Sequence, residues 1–207
     1  MVKNNEVTAT MLIEPLSEPS LAEATKLLWK KVKGKQAPMF LYGGAFPVYQ
    51  VGDDFNGYIL LFNPDMQTVD YFVNYKKVHH GGISAGRQVL LWRAQSSPAA
   101  GGFAQHVFFK VLLPKYKTLF ADTQQSDKGK EFWTNAIAHA FERNLHVYMY
   151  DRRKVPNELV EFDGLGDLNK HQDRIWGTEL GHKRLFAVIS LDKLSLRAKK
   201  EGIVQPG

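Results

Sequence analysis

TLFADTQQSDKGKEFWTNAIAHAFERNLHVYMY, residues 118–150, decides how the fold is read. Thr118 to Thr123 is short and apolar and reads as a strand. Ser126 is a good N-cap, and Phe132, Trp133, Ala136, Ile137, Ala140 and Phe141 then recur at helical spacing. Asn144 closes that helix. Leu145 to Tyr150 is rich in β-formers and reads as a second strand. Two strands joined through a helix of this length form one crossover unit, with the strands parallel or nearly so.

Upstream, Val7 to Glu14 reads as a first strand ended by Pro15. Ser20 and Glu23 form a capping box before the apolar stripe Leu21, Ala24, Leu27, Leu28 and Val32, and Gly34 ends that helix. Three strands follow at Phe46–Val51, Gly57–Phe62 and Val69–Val78, separated by the turns Gly52-Asp53-Asp54 and Asn63-Pro64-Asp65. A loop is expected over His79 to Gly86 and a fourth strand over Arg87 to Gln95. After a break at Ser96 to Gly102, Phe103, Val107, Phe108, Val111 and Leu112 have helical spacing, and Pro114 is expected to stop the helix. Downstream, residues 152–174 read as a polar surface loop, Leu185 to Leu191 as a last strand, and 192–207 as a basic tail. No repeat or linker divides the chain. One α/β domain with a mixed central sheet flanked by helices is expected, its core spanning residues 7–191.

Composition narrows the function classes. The chain has 207 residues, 44% hydrophobic and 12% aromatic, which suits a folded domain rather than a disordered tail. It has no cysteine, so disulfides, thiolate zinc sites and a cysteine nucleophile are excluded. No apolar run reaches the roughly 18 residues needed to span a membrane, and MVKNNEVTAT lacks the apolar core of a signal peptide. A cytoplasmic location is expected, with no membrane partner. The net charge of +6 favours anionic partners, but basic residues do not interleave with aromatic ones as on an RNA-binding sheet, so nucleic acid is not the expected partner. No phosphate-binding Gly-x-x-x-x-Gly-Lys-Ser/Thr motif occurs, and a Ser-His-Asp hydrolase is not expected. Adjacent histidines at 79 and 80 on a strand would point to opposite faces, so no metal site is expected there.

An antiparallel run, a glycine turn into a helix, then strand–helix–strand: this order resembles the GCN5-related N-acetyltransferase (GNAT) fold. In that family the loop after the fourth strand reads Arg/Gln-x-x-Gly-x-Gly/Ala, and its backbone N–H groups hold the pyrophosphate of acetyl-CoA at a helix N-terminus. Ala99-Ala100-Gly101-Gly102-Phe103-Ala104 is the matching stretch; it keeps Gly102 and Ala104 and has Ala99 where the family has Arg or Gln. Asp122-x-x-Gln125-Ser126-x-x-Gly129-x-x-Phe132-Trp133 is similar to a segment of phage-encoded GNAT-like proteins. Trp133 falls where cellular members carry a tyrosine proposed to protonate the departing thiolate. An indole N–H donates a hydrogen bond but is no practical acid.

The resemblance implies a coenzyme site from Leu91, Arg93, Ala99, Gly101, Gly102, Phe103, Ala104 and Ser126, with acetyl-CoA or coenzyme A as ligand and no metal. Trp133, Asp70 and His79 are the catalytic candidates, and no general base is assigned among them. Each has a plainer reading as well: Trp133 as core, Ser126 as a helix cap, His79 as a solvent-facing loop, the glycines as a simple turn. Two functions stay open. One is an N-acyltransferase moving an acetyl group from acetyl-CoA to an amine. The other is a catalytically degenerate GNAT-fold protein, made by a phage, that binds and modulates a host protein.

Overall fold

The computed structural model describes residues 37–93, 101–121, 127–154, 156–176 and 185–195, with positions 26, 27, 29, 30 and 32. Within these residues the protein is mixed α/β, and every strand pair with a resolved register is antiparallel. The chain forms two compact units, one built from residues up to 77 and 86–115, the other from 78–85 and 116 onward.

An antiparallel run in the order β1-β2-β3-β4-β5 comprises Phe40–Tyr42, Phe46–Gly52, Asn56–Asn63, Thr68–His80 and Ile83–Arg93, all in the first unit except residues 78–85 at the tip of the β4–β5 hairpin. The expected turns hold it. Asp53 Oδ1 accepts from the N–H groups of Phe55 and Asn56, and Asn63 Oδ1 from those of Asp65 and Met66. Strand β1 has only three residues and was not anticipated. Positions 26, 27, 29, 30 and 32 are helical, and Val32 packs with Tyr58, Leu60, Val69 and Phe72. The expected strand at Val7–Glu14 lies outside the described residues.

Two expectations are corrected here. The loop over His79–Gly86 is a two-residue turn: β4 runs to His80 and β5 starts at Ile83. Gly81 (φ 55°) and Gly82 (φ 83°) both take left-handed backbone, as the tight hairpin turn between twisted strands requires. Pro114 does not stop its helix. The helix runs Phe103–His106, widens to π geometry over Val107–Leu112, and closes as Leu113–Tyr116. Leu113 N–H donates to Phe108 O, five residues back. Proline clashes with the carbonyl four residues earlier and has no N–H to give it, and the wider turns ahead of Pro114 accommodate that defect.

In the second unit, β6 (Thr118–Phe120) and β7 (His146–Asp151) are joined by the helix Asp127–Glu142. Both pair antiparallel with β9 (Leu185–Ser190), so they run parallel to each other, as expected for a crossover, with β9 between them. Asn144 takes φ 54°, and the bonds Leu145 N–H to Ala140 O and Asn144 N–H to Phe141 O end the helix in a Schellman motif. Residues 152–174 are not a loop: β8 (Glu158–Glu161) extends the sheet beyond β7, and the helix Leu165–Trp176 follows, with Leu168 and Ile175 buried. Ile83, Ala85, Phe120, Tyr148, Tyr150, Phe186 and Val188 form the core on one face.

Candidate functional site

The glycine turn leads directly into a helix. Gly101 and Gly102 are exposed, and Phe103 begins the helix directly after them. Gly102 takes φ 72°, a conformation L side chains rarely adopt, and its carbonyl accepts the His106 N–H at 2.9 Å as the first helical bond. No side chain caps this end, and the leading N–H groups of a helix have no partners within it. Among the described residues, a Cβ built on Gly101 would meet nothing within 4 Å, and one on Gly102 only the Tyr42 hydroxyl at 3.5 Å.

Tyr42, on β1, is the residue the sequence did not point to. Its hydroxyl donates to Gly101 O at 2.7 Å across 59 positions of sequence. Because the peptide group is planar and trans, fixing that carbonyl also fixes the direction of the Gly102 N–H. The ring is held edge-on to Phe103 (5.1 Å between centroids) and His106 (5.2 Å), and Phe40 lies 5.4 Å from His106. Burial holds the His106 imidazole below its ordinary pKa, and Lys110 on the same helix adds to this. Tyr71 of β4 packs on the buried face of Phe103. The turn is thus anchored from β1, from β4 and through its own helix.

The remaining candidates divide. Ala104 lies in the first helical turn. Leu91 and Arg93 lie on β5, and their side chains, like Ala99 and Ser126, lie outside the described residues. Asp70 is buried, and its carboxylate accepts from Asn63 Nδ2 at 3.0 Å and Thr68 Oγ1 at 3.1 Å. It sits where the β3–β4 register shifts between Leu61 and Phe62, so two residues of β4 face one of β3. Asp70 therefore holds the amide of Asn63, which in turn caps the β3–β4 turn. Trp133 and His79 belong to the second unit. Trp133 is 2% exposed, on a helix face with Ala136, Ile137 and Ala140. His79 is exposed, whereas His80 stacks on Phe186 at 5.0 Å.

The spacing Gly-x-Ser-x-Gly does occur, at Gly82 to Gly86, although no hydrolase motif was expected. It runs from a hairpin turn into β5 rather than from a strand into a helix, so it builds no nucleophile elbow. Among the described residues no group of three or more His, Cys, Asp or Glu could hold a metal ion, and no helix is long and apolar enough to cross a membrane. No family model, curated protein or solved structure matches the chain. The class assignment therefore rests on architecture: a mixed α/β protein with a mostly antiparallel sheet.

Proposed function

We propose that the chain is a GNAT-like protein that binds acetyl-CoA, its pyrophosphate on the backbone N–H groups of Gly101 to Ala104, and transfers the acetyl group to an amine. The observation that carries this reading is the Gly101–Gly102 turn, open on its outer side, left-handed at Gly102 and opening a helix after an antiparallel run. Unpaired N–H donors and the positive end of the helix dipole favour a diphosphate there. The run β2–β5, the turn, the helix after it and then β6–helix–β7 follow the family's element order, which supports the same reading.

In the reaction, the neutral amine attacks the thioester carbon, the carbonyl oxygen gathers charge, the carbonyl re-forms as the C–S bond breaks and the thiolate departs, and the proton lost by the amine nitrogen passes to water. Backbone donors of β5 near Leu91 to Arg93 stabilise that oxygen. Asp70 is committed to its turn and supplies no base. Turnover is therefore slow. The test is thiol release from acetyl-CoA with amine-bearing acceptors. The wild type releases thiol slowly, and Trp133→Tyr is not slower, because indole delivers no proton and its removal costs no acid. A fast enzyme that collapses on Trp133→Tyr overturns this assignment.

A second reading has one specific observation in its favour. Trp133, standing where a proton-donating tyrosine would fall, is buried to 2% and serves the core. That suits a GNAT-shaped protein, phage-made and working in the host cytoplasm, that binds a host protein with little chemistry. Absence of acetylation of any lysate protein, together with one host protein that co-purifies at fixed stoichiometry, selects it.

A further inference from the structure

Beyond the turn, the second unit gathers a polar cluster that no part of the proposed chemistry uses. His146 on β7 and Glu161 on β8 meet at 2.7 Å between Nδ1 and Oε1. Lys193, three residues past the end of β9, reaches the other carboxylate oxygen at 3.3 Å. The next N–H, that of Leu194, donates to the Tyr148 hydroxyl at 3.0 Å, and the Leu194 side chain packs on the core cluster of Tyr148, Phe120 and Phe186. His146 and Tyr148 are two apart on one strand and so share a face, and their rings lie 6.2 Å apart and nearly parallel. The charged and titratable groups in the cluster are His146, Glu161, Tyr148, Lys193 and the exposed Asp192 of the segment itself.

We propose that Asp192–Leu194 is a charge-held strap closed over β7, with Glu161 as its catch. The preceding residues give it a fixed base. Ser190 is fully buried, its hydroxyl bonded to Thr118 Oγ1 at 2.9 Å, and Leu191 N–H donates to Lys117 O. Among the described residues the segment is held by two neutral hydrogen bonds, from the Asp192 N–H to Ser190 Oγ at 3.3 Å and from the Leu194 N–H to the Tyr148 hydroxyl, by one apolar side chain and by the Glu161–Lys193 pair. Such a contact opens locally at small cost when its charge is removed or screened. The sign with pH follows from Glu161. The bond from His146, and then the bond and charge of Lys193, hold its carboxyl below the usual glutamate range. The catch is therefore fully formed above the ordinary glutamate pKa and is lost as pH falls through the lowered one.

Trypsin tests this on the intact chain, because the Lys193–Leu194 bond needs a released lysine and a free extended backbone to be cut. In the wild type at low salt and pH 8, cleavage at Lys193 is slow. Glu161→Gln speeds cleavage at Lys193 about fivefold, the upper end of the scale of one exposed ion pair, and leaves the other tryptic sites unchanged. Tyr148→Phe acts the same way, the exposed Glu158→Gln does not, and 0.5 M salt accelerates the wild type but not Glu161→Gln. Equal rates at Lys193 in wild type and both strap variants overturn the proposal, as does an acceleration spread over all tryptic sites.

Discussion

Two glycine pairs in this chain do opposite jobs. Gly81–Gly82 closes the β4–β5 hairpin, and both residues take left-handed backbone. A Cβ on Gly81 would run into the Tyr150 hydroxyl, which already accepts from Asn157 Nδ2 at 2.8 Å. Gly81 is glycine because conformation and space both demand it, and Gly82 because conformation does. Gly101–Gly102 opens a helix, and Gly102 takes a positive φ. No described atom lies within 4 Å of a Cβ built on Gly101. Among the described residues, packing does not require glycine at 101, and the proposed reason for it is close approach of a ligand.

Substitutions separate the two pairs, beginning with the largest effect. Gly81→Val combines a positive φ with a clash against Tyr150 and should cost about 3 kcal/mol or more, read as a lowered denaturation midpoint, while the fraction that remains folded keeps its coenzyme affinity. Gly102→Val meets the backbone penalty alone, about 2 kcal/mol, yet should abolish coenzyme binding because its side chain occupies the phosphate position. Tyr42→Phe keeps the ring against Phe103 and His106 and loses one hydrogen bond. It should cost about 1 kcal/mol of stability and several-fold in affinity for coenzyme A, with affinity for pantetheine, which lacks the diphosphate, unchanged. Gly101→Ala should shift stability by no more than about 0.5 kcal/mol and still weaken coenzyme binding. If Gly101→Ala is silent in both measurements, the comparison between the pairs loses its functional half.

The parts of the fold legible in the sequence are those whose cause is local. Asp53 and Asn63 announce turns through their own side chains, β2 to β4 carry apolar runs between those turns, and Asn144 marks its helix end by tolerating left-handed backbone. The parts that were not legible depend on partners elsewhere. Strand β1 is too short to show alternation and exists through its ladder with β2. Strand β8 and the helix Leu165–Trp176 lie in a charged stretch, where Leu168 and Ile175 are the buried apolar anchors of the helix and charged and polar residues fill most of the rest. Pro114 reads as a terminator by chemistry alone, and the widened helix ahead of it is a tertiary solution.

The candidate site divides the same way. A glycine pair between an apolar strand and an apolar helix is visible at once in the sequence. Tyr42 is not, because its hydrogen bond to Gly101 spans 59 positions. The core role of Trp133 was readable from its place on the helical stripe, and the role of Asp70 was hidden in a bulge that only the pairing of β3 with β4 reveals.

The central claim is that the Gly101–Ala104 turn receives the diphosphate of acetyl-CoA. Calorimetric titration of acetyl-CoA into the wild type and into Gly102→Val tests it most directly. Saturable one-site binding to the wild type and none to Gly102→Val is the expected result. No binding to the wild type, or equal affinity in both proteins, contradicts it.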